Sequence, residues 1–392
     1  MPLATAAATA TAARGALTPV VFRRCLSPSR PLTRSPFRIS SRHLSQLTSI
    51  PDPPPNTAAP AGLAPLSPAR RLISITGSDA ATFLQRSITA NILTHTGPGV
   101  YTAFLTARGR ILNDVFIYRD TAAFHGLSTG SPETSFLIEV DAAEAVSLEA
   151  RIKRYKLRSK IEVRILERGE AAIWHAWGCP APPPTPQTLI LADTRAPGLG
   201  YRLVMPLKAK PRHVTGPLPP RTYDAYRLRR ILAGVPEGAA ELPPEEALPL
   251  ESNLDVMMDA IDFHKGCYVG QELTIRTRHQ GVVRKRILPV VLYAEGEAVP
   301  EALAYQPGQF AAAGAEPASI VPVIGGGRPT GKFLGGVGNV GLALCRLQPM
   351  TDLKAPPGSV QDYDPAAEFC LAGDEGTRVK AFVPEWLRQA LG

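Results

Sequence analysis

The chain has 392 residues, 44% of them hydrophobic, and a formal charge of +9. That length supports a sizeable core and two or three domains, and the lack of any run of 18 or more uninterrupted apolar residues argues against a membrane-spanning helix. Seven arginines (Arg14, Arg23, Arg24, Arg30, Arg34, Arg38 and Arg42) fall before residue 51, with no Asp, Glu or Lys among them, so the rest of the chain carries only about +2. A nearly neutral body gives no case for nucleic-acid binding.

In chain order, the Arg-rich, Ser-rich, acid-free start has the composition of an organelle transit peptide, assigned to residues 1–45. A Pro-rich stretch over 46–69 reads as a linker. Ordered sequence is expected from Arg70. Arg71–Thr76 alternates like a strand, and Ser78 or Asp79 is placed to cap a helix running from Ala80 to Ile88. Strands are expected over Tyr101–Leu105 and Ile111–Arg119, joined by a turn at Ala107-Arg108-Gly109, and again over Ser135–Val140. Ala142–Tyr155 reads as a helix with a basic last turn. Two further strands, Ile161–Leu166 and Ala171–Ala176, lead to a breaker-rich loop over Pro180–Pro186. A second block follows: a strand at Leu199–Pro206, then an amphipathic helix over Arg221–Ala233 closed by Gly234. Leu250, Leu254, Met257 and Ile261 could make a short helical stripe, and Glu272–Arg278 reads as the start of a strand. From Arg284 onward, strands alternate with Gly and Pro until a helical period at Glu385, the pattern of a small antiparallel barrel or sandwich.

Among candidate chemical groups, the five cysteines (Cys25, Cys179, Cys267, Cys345 and Cys370) form no C-x-x-C pair. They give neither a disulfide framework nor a zinc or four-cysteine iron–sulfur pattern, and a reducing compartment fits. Cys179, Cys345 and Cys370 read as buried fillers. The sharpest feature is Lys265-Gly266-Cys267-Tyr268-Val269-Gly270-Gln271-Glu272, a single cysteine bracketed by two glycines four apart. Such a loop can turn sharply and present its thiol, with Lys265, Arg276, Arg278 and His279 supplying positive charge. On the residues alone, Cys267 reads equally as a reactive thiol or a small buried filler. Glu251, Asp255, Asp259 and Asp262 lack calcium-loop spacing and read as a solvated face. The glycine clusters lack a strand–GxGxxG–helix context, which sets aside a dinucleotide site.

The octet resembles the KGC(Y/F)xGQE signature of the YgfZ-type iron–sulfur assembly proteins, relatives of the glycine-cleavage aminomethyltransferase (GcvT), and matches it at all eight positions. Pro249-Leu250-Glu251, Asn253-Leu254-Asp255, Gly234-Val235-Pro236-Glu237-Gly238 and Gly77-x-Asp79-Ala80 through Gln85 extend the resemblance over about residues 70–346. The resemblance implies an α+β fold. A GcvT-like folate-binding body would occupy 70–283, with two halves at about 70–180 and 190–283, followed by an antiparallel β-barrel over 284–392. It also implies action in the mitochondrial matrix in maturation of 4Fe–4S proteins, without conventional enzymatic turnover. Cys267 would be the key thiol, ligating a 2Fe–2S cluster shared with an A-type carrier protein. Tetrahydrofolate is the implied cofactor. Thr106-Ala107-Arg108-Gly109-Arg110 and Asn113-Asp114 resemble the aminomethyltransferase segment that meets folate, which makes Asp114, Arg110 and Arg276 the folate candidates. Asn113 stands where that family has a carboxylate, and an amide is no general base. The alternative reading is a folate-dependent aminomethyl transferase. On the residues alone, Asp114 reads equally as a polar residue on the outer face of a strand.

Overall fold

The structure is a computed structural model that describes residues 59–124, 134–308, 310, 317–324, 328–353 and 363–391. The transit peptide expected over 1–45 and the first part of the linker lie outside the described residues.

Two antiparallel sheets build the body. The first runs β3-β4-β5-β2-β6, from β2 (Arg70–Thr76), β3 (Gly99–Leu105), β4 (Ile111–Arg119), β5 (Ser135–Asp141) and β6 (Glu162–Ile165). The second runs β1-β7-β9-β8, from β1 (Gly62–Pro65), β7 (Ala171–Trp177), β8 (Leu189–Asp193) and β9 (Gly200–Pro206). β3 is buried along its whole length, so it has no solvated face. Its alternate residues serve two cores: Tyr101, Ala103 and Leu105 face the interior of the body, while Val100 and Phe104 face helices α1 (Ala80–Ser87) and α2 (Ala145–Tyr155). Leu84, Leu148 and Ile152 close that second core.

A one-turn helix, α3 (Arg212–Thr215), precedes α4 (Tyr223–Leu232), whose N-cap Thr222 accepts from the Ala225 amide. Gly234 ends α4 at φ +74°, and its α-carbon faces Pro384 and Pro289 of the C-terminal domain. That domain is a closed antiparallel barrel, built from β10 (Lys285–Ala294), β11 (Ala318–Pro322), β12 (Gly331–Val337), β13 (Val340–Arg346), β14 (Phe369–Leu371) and β15 (Asp374–Ala381) in the order β10-β13-β12-β11-β14-β15. α7 (Glu385–Leu391) follows it, after the one-turn α6 (Leu347–Met350). Trp386 donates its indole N–H to the Ala233 carbonyl and so ties barrel to body.

The α+β body and the closed barrel match the sequence expectation, and four details differ. Gly62–Pro65 lies within the stretch expected as linker but pairs with β7, Gly62 opposite Trp177. The chain leaves the first sheet at Ile165 and joins the second at Ala171, so β7 belongs with the second half rather than the first. The Leu250–Ile261 stripe is buried as expected, but in consecutive turns rather than a helix. Gln271–Gln280, expected to open a strand, is helix α5. Its β-branched residues suggested a strand, but Gly270 turns the chain through φ +81° and starts a helix instead.

Candidate functional site

The Cys267 loop is framed on three sides. Before it, the Asp262 carboxylate accepts from the amides of His264 (2.7 Å) and Lys265 (3.0 Å) and from the Asn91 side chain (2.9 Å). Asp262 therefore organises the turn rather than belonging to a solvated face, and hydrogen bonds hold its carboxyl below the usual range despite partial burial. After it, the Gln271 side chain accepts from the Tyr268 amide at 3.2 Å. Beneath it, the Val269 amide donates to the Arg86 carbonyl at the end of α1.

Lys265 does not sit as a free charge. Its ammonium donates to the carbonyls of Ile88 (2.8 Å) and Ala90 (2.7 Å) and lies 4.9 Å from the Tyr268 ring centre. Burial pushes its pKa down to about 8, against nearby Asp262. Tyr268 is buried, and that burial lifts its phenol to about 12. The two neighbours of Cys267 that carry functional groups are thus anchors, and the thiol between them is exposed.

The two glycines of the octet differ. A Cβ on Gly270 would stand 2.3 Å from the Thr106 carbonyl oxygen and 2.8 Å from Leu105 Cβ. Gly109, at φ +78°, makes the reciprocal close approach to Gly270 and Leu273. Only glycine permits both the left-handed backbone and the contact. Gly266 needs neither: its φ is ordinary and nothing lies within 4 Å of where a Cβ would stand. Glu272 is exposed at the start of α5, where a carboxylate suits the helix dipole.

The folate candidates are not brought together. Asp114 is buried, not on an outer strand face, with one oxygen 3.5 Å from Arg70 and the other accepting from the Gly238 amide at 3.0 Å. Arg110 and Arg276 are exposed, and Arg110 donates to the Glu246 carbonyl.

Around Asp114 lies a charge network between the two sheets, which the sequence alone did not reveal. Arg202 on β9 pairs with Glu139 on β5 and, at 3.0 Å, with Glu237. Arg195 grips Asp193 with two nitrogens, at 2.8 and 2.7 Å, and lies 2.9 Å from Glu237. Tyr226 on α4 donates to Glu237 at 2.7 Å and accepts from Arg202 at 2.8 Å. Arg230 pairs with Glu241 at 2.8 Å. All these charged side chains are nearly inaccessible to solvent. Burial opposes the ionisation of Glu237, yet Arg202, Arg195, Arg70 and Arg230 outweigh it and hold the carboxyl well below its usual range. Asp193 is likewise held at about 2 against burial, by Arg195 and Arg202. Asp114 goes the other way: burial lifts it, Arg70 notwithstanding.

Several polar atoms here lack a hydrogen-bond partner: Tyr101 Oη, Arg195 Nη1, His175 Nδ1 and Glu237 Oε1, the last 3.8 Å from Arg230 Nε. Buried donors and acceptors left over at one place are the chemistry that a flat polar heterocycle such as a pterin satisfies. By donor type, Glu237, Arg195 and Tyr101 are among the residues whose unpaired atoms would suit a polar head group, whereas Arg110 and Arg276 are exposed. A signal was present in the sequence: Glu139 interrupts the apolar run of β5, and Arg202 does the same in β9.

Of the other cysteines, Cys345 and Cys370 are buried as expected, and burial raises the Cys345 thiol. Cys179 is only half-buried. Arg286 is buried against Asp255 at 2.9 Å and the Leu250 carbonyl at 2.9 Å, a structural pair between barrel and body. Among the described residues, no group of three His, Cys, Asp or Glu side chains is placed to hold a metal ion.

Comparison with known proteins gives three kinds of likeness. The family described as the CAF17 C-terminal beta-barrel domain matches residues 284–389. A mitochondrial iron–sulfur cluster assembly factor IBA57 homolog of Pyricularia oryzae is 50% identical over 346 residues, covering 82% of this chain and 84% of that one. The homologs of Chaetomium globosum and Neurospora crassa are 45% and 43% identical, with 92% and 98% of this chain and 92% of each relative covered. Among solved structures, the glycine cleavage system aminomethyltransferase T of Bartonella henselae aligns with a TM-score of 0.56 over 85% of this chain and 88% of that one; at 16% identity this is likeness of fold.

Proposed function

The chain belongs to the IBA57 family of mitochondrial iron–sulfur cluster assembly factors, and we propose that it acts in the mitochondrial matrix in maturation of 4Fe–4S proteins, with Cys267 ligating a 2Fe–2S cluster shared with an A-type carrier protein. Residues 1–45 are the leader that directs it there, residues 62–283 the body, and 284–392 the barrel.

One observation carries this reading. Cys267 is an exposed thiol on a loop fixed by Asp262, Lys265, Gln271 and Gly270, and among the described residues no group of three or more His, Cys, Asp or Glu side chains is placed to complete a metal site. A 2Fe–2S cluster takes four thiolate-type ligands. One rigidly presented thiol therefore suits a cluster held between two chains, whereas a nucleophile would be expected to have a base beside it. The cluster is cargo here, and the frame keeps the thiol in place before the partner arrives.

Tetrahydrofolate belongs at the other site. Glu237, Arg195 and Tyr101 would hold its pterin by their unpaired atoms; when bound, folate supplies a one-carbon carrier. The chain's own part there is to bind and orient. Asp114 is committed to Arg70 and Gly238, and Asn113 is an amide, so the site offers no free carboxylate on β4 for aminomethyl transfer.

The test is reconstitution of the chain with an A-type carrier and a 2Fe–2S donor, comparing wild type with Cys267→Ser by visible circular dichroism and gel filtration. A coloured heterocomplex from wild type alone is the expected result. Equal complexes from both proteins would move the function away from the thiol.

A further inference from the structure

Beside the Cys267 loop runs a groove of about 980 Å³, between the end of α1 and the segment that follows α2. Phe83, Tyr155 and Val269 form its apolar wall, and a hollow of about 40 Å³ behind the same residues reaches Phe104 and Leu105. Leu157, which also lines the groove, is 84% exposed; Tyr155 is 53% and Val269 41% exposed. Single exposed apolar residues are ordinary, but three around one groove mark an interaction surface.

Leu157 adds a second sign. It holds φ +45°, in the left-handed region just beyond the end of α2. Glycine or asparagine usually takes that position, because a side chain there is strained. The chain instead places a large apolar group there and points it to solvent, where folding gains nothing from it.

The rim is basic. Arg86 and Arg158 are exposed, and neither side chain has a hydrogen-bond or ion-pair partner among the described residues. Asp79, the acid lining the groove, already accepts from the Lys160 amide at 2.7 Å. Val269 is two residues from Cys267, and its amide is bonded to the Arg86 carbonyl. A chain that reaches the thiol therefore meets this groove.

We infer that the groove docks an acidic segment of the cluster-carrying partner, with an apolar side chain seated against Phe83, Tyr155 and Val269 and carboxylates on Arg86 and Arg158. The inference rests on the proposed cluster sharing, and separates its two parts: the groove holds the partner, the thiol holds the cluster. A pair of freely solvated arginines also steers an acidic partner to the loop, in a salt-dependent way.

The experiment titrates the full chain with a purified, cluster-free A-type carrier by calorimetry at low and physiological salt. Arg86→Glu/Arg158→Glu is expected to weaken binding at least tenfold, and Leu157→Gly about threefold with an unchanged or raised melting temperature, since glycine relieves the strain. Cys267→Ser is expected to bind the cluster-free carrier like wild type and to lose only the shared-cluster signal. If the charge reversal and Leu157→Gly both leave affinity within twofold, the groove assignment is overturned while cluster sharing through Cys267 can still stand. If both weaken binding but Cys267→Ser keeps the cluster signal, the groove stands and the thiol reading falls. A wild-type chain with no affinity for the carrier overturns both. A dimer of the chain alone that the charge reversal dissolves would assign the groove to a second copy, and binding to anionic vesicles that the reversal abolishes, with carrier affinity unchanged, would assign it to a membrane surface; either result overturns the inference.

Discussion

The interior network and the Cys267 loop are both rich in charge, and they use it in opposite ways. Between the sheets, Arg70, Arg195, Arg202 and Arg230 are matched against Asp114, Glu139, Asp193, Glu237 and Glu241, all out of solvent. At the loop, Lys265 is engaged with backbone carbonyls, while the Cys267 thiol and the side chains of Arg86, Arg158, Arg276 and Arg278 are exposed. The interior has charge to spare only as unpaired atoms; the surface has charge to spare for a partner. A fold shared with an aminomethyltransferase here carries an exposed thiol outside the charged interior.

The hardest way to break that comparison is to unbalance the interior. Arg202→Met removes the shared partner of Glu139, Glu237 and Tyr226. A buried carboxylate left without its cation is far more costly than the pair was stabilising, so a loss of about 3–5 kcal/mol is expected in urea unfolding. Adding Glu139→Gln should recover part of that loss, because the two residues are in direct contact. A loss under about 1 kcal/mol would mean that water already reaches the network.

Acid probes the same interior more gently. His175 is buried, with Nε2 3.0 Å from the Leu199 carbonyl, and burial pushes its pKa down to about 4. It is neutral in the fold, whereas in the unfolded chain it takes up a proton below about pH 6.5. Stability should therefore fall as pH drops from about 6.5 to 4 and lose nothing more from this group below that, up to on the order of 3 kcal/mol. Asp193, held at about 2, adds a further loss below its unfolded value of about 3.8. Comparing unfolding of wild type and His175→Gln across this range isolates the histidine; parallel curves would show that it is not the titrating group.

At the loop, the sharper test is Gly270→Ala. The substitution forces a Cβ into a left-handed backbone and to 2.3 Å from the Thr106 carbonyl oxygen. About 1–3 kcal/mol of destabilisation is expected. The shared-cluster complex should also be lost although Cys267 still reacts with a thiol reagent, since the loop's aim and not its thiol has changed.

What was legible in the sequence follows from how each region is built. The octet carries its own frame, because Gly270, Gln271 and Lys265 act within a few residues of Cys267. The barrel was legible for a similar reason, from alternation along consecutive strands. The interior network has only a faint local sign, Glu139 and Arg202 interrupting apolar strands: Arg70, Glu139, Arg202 and Glu237 are brought together by sheet pairing across distant segments, and charged residues are ordinarily read as exposed. Helix α5 differs from the strand expected there: Leu273, Ile275 and Thr277 alternate with polar residues, but the left-handed turn at Gly270 starts a helix. The three folate candidates do not share one face in the fold, as Asp114 is buried while Arg110 and Arg276 are exposed.

The smallest effect is the most informative about the partner. Gly266 looks like the twin of Gly270, yet it has an ordinary φ and open space around it. Gly266→Ala should change stability by less than about 0.5 kcal/mol, as should Cys267→Ser, because neither position is packed. Within the isolated chain, nothing requires glycine there. If Gly266→Ala also leaves the shared-cluster complex intact, the frame alone accounts for the loop, and Gly270 is the glycine that matters. A complex weakened by Gly266→Ala at unchanged stability would instead locate the constraint outside this chain: a partner surface that approaches the Gly266 backbone too closely to admit a methyl group, on the side of Cys267 away from the groove wall at Val269.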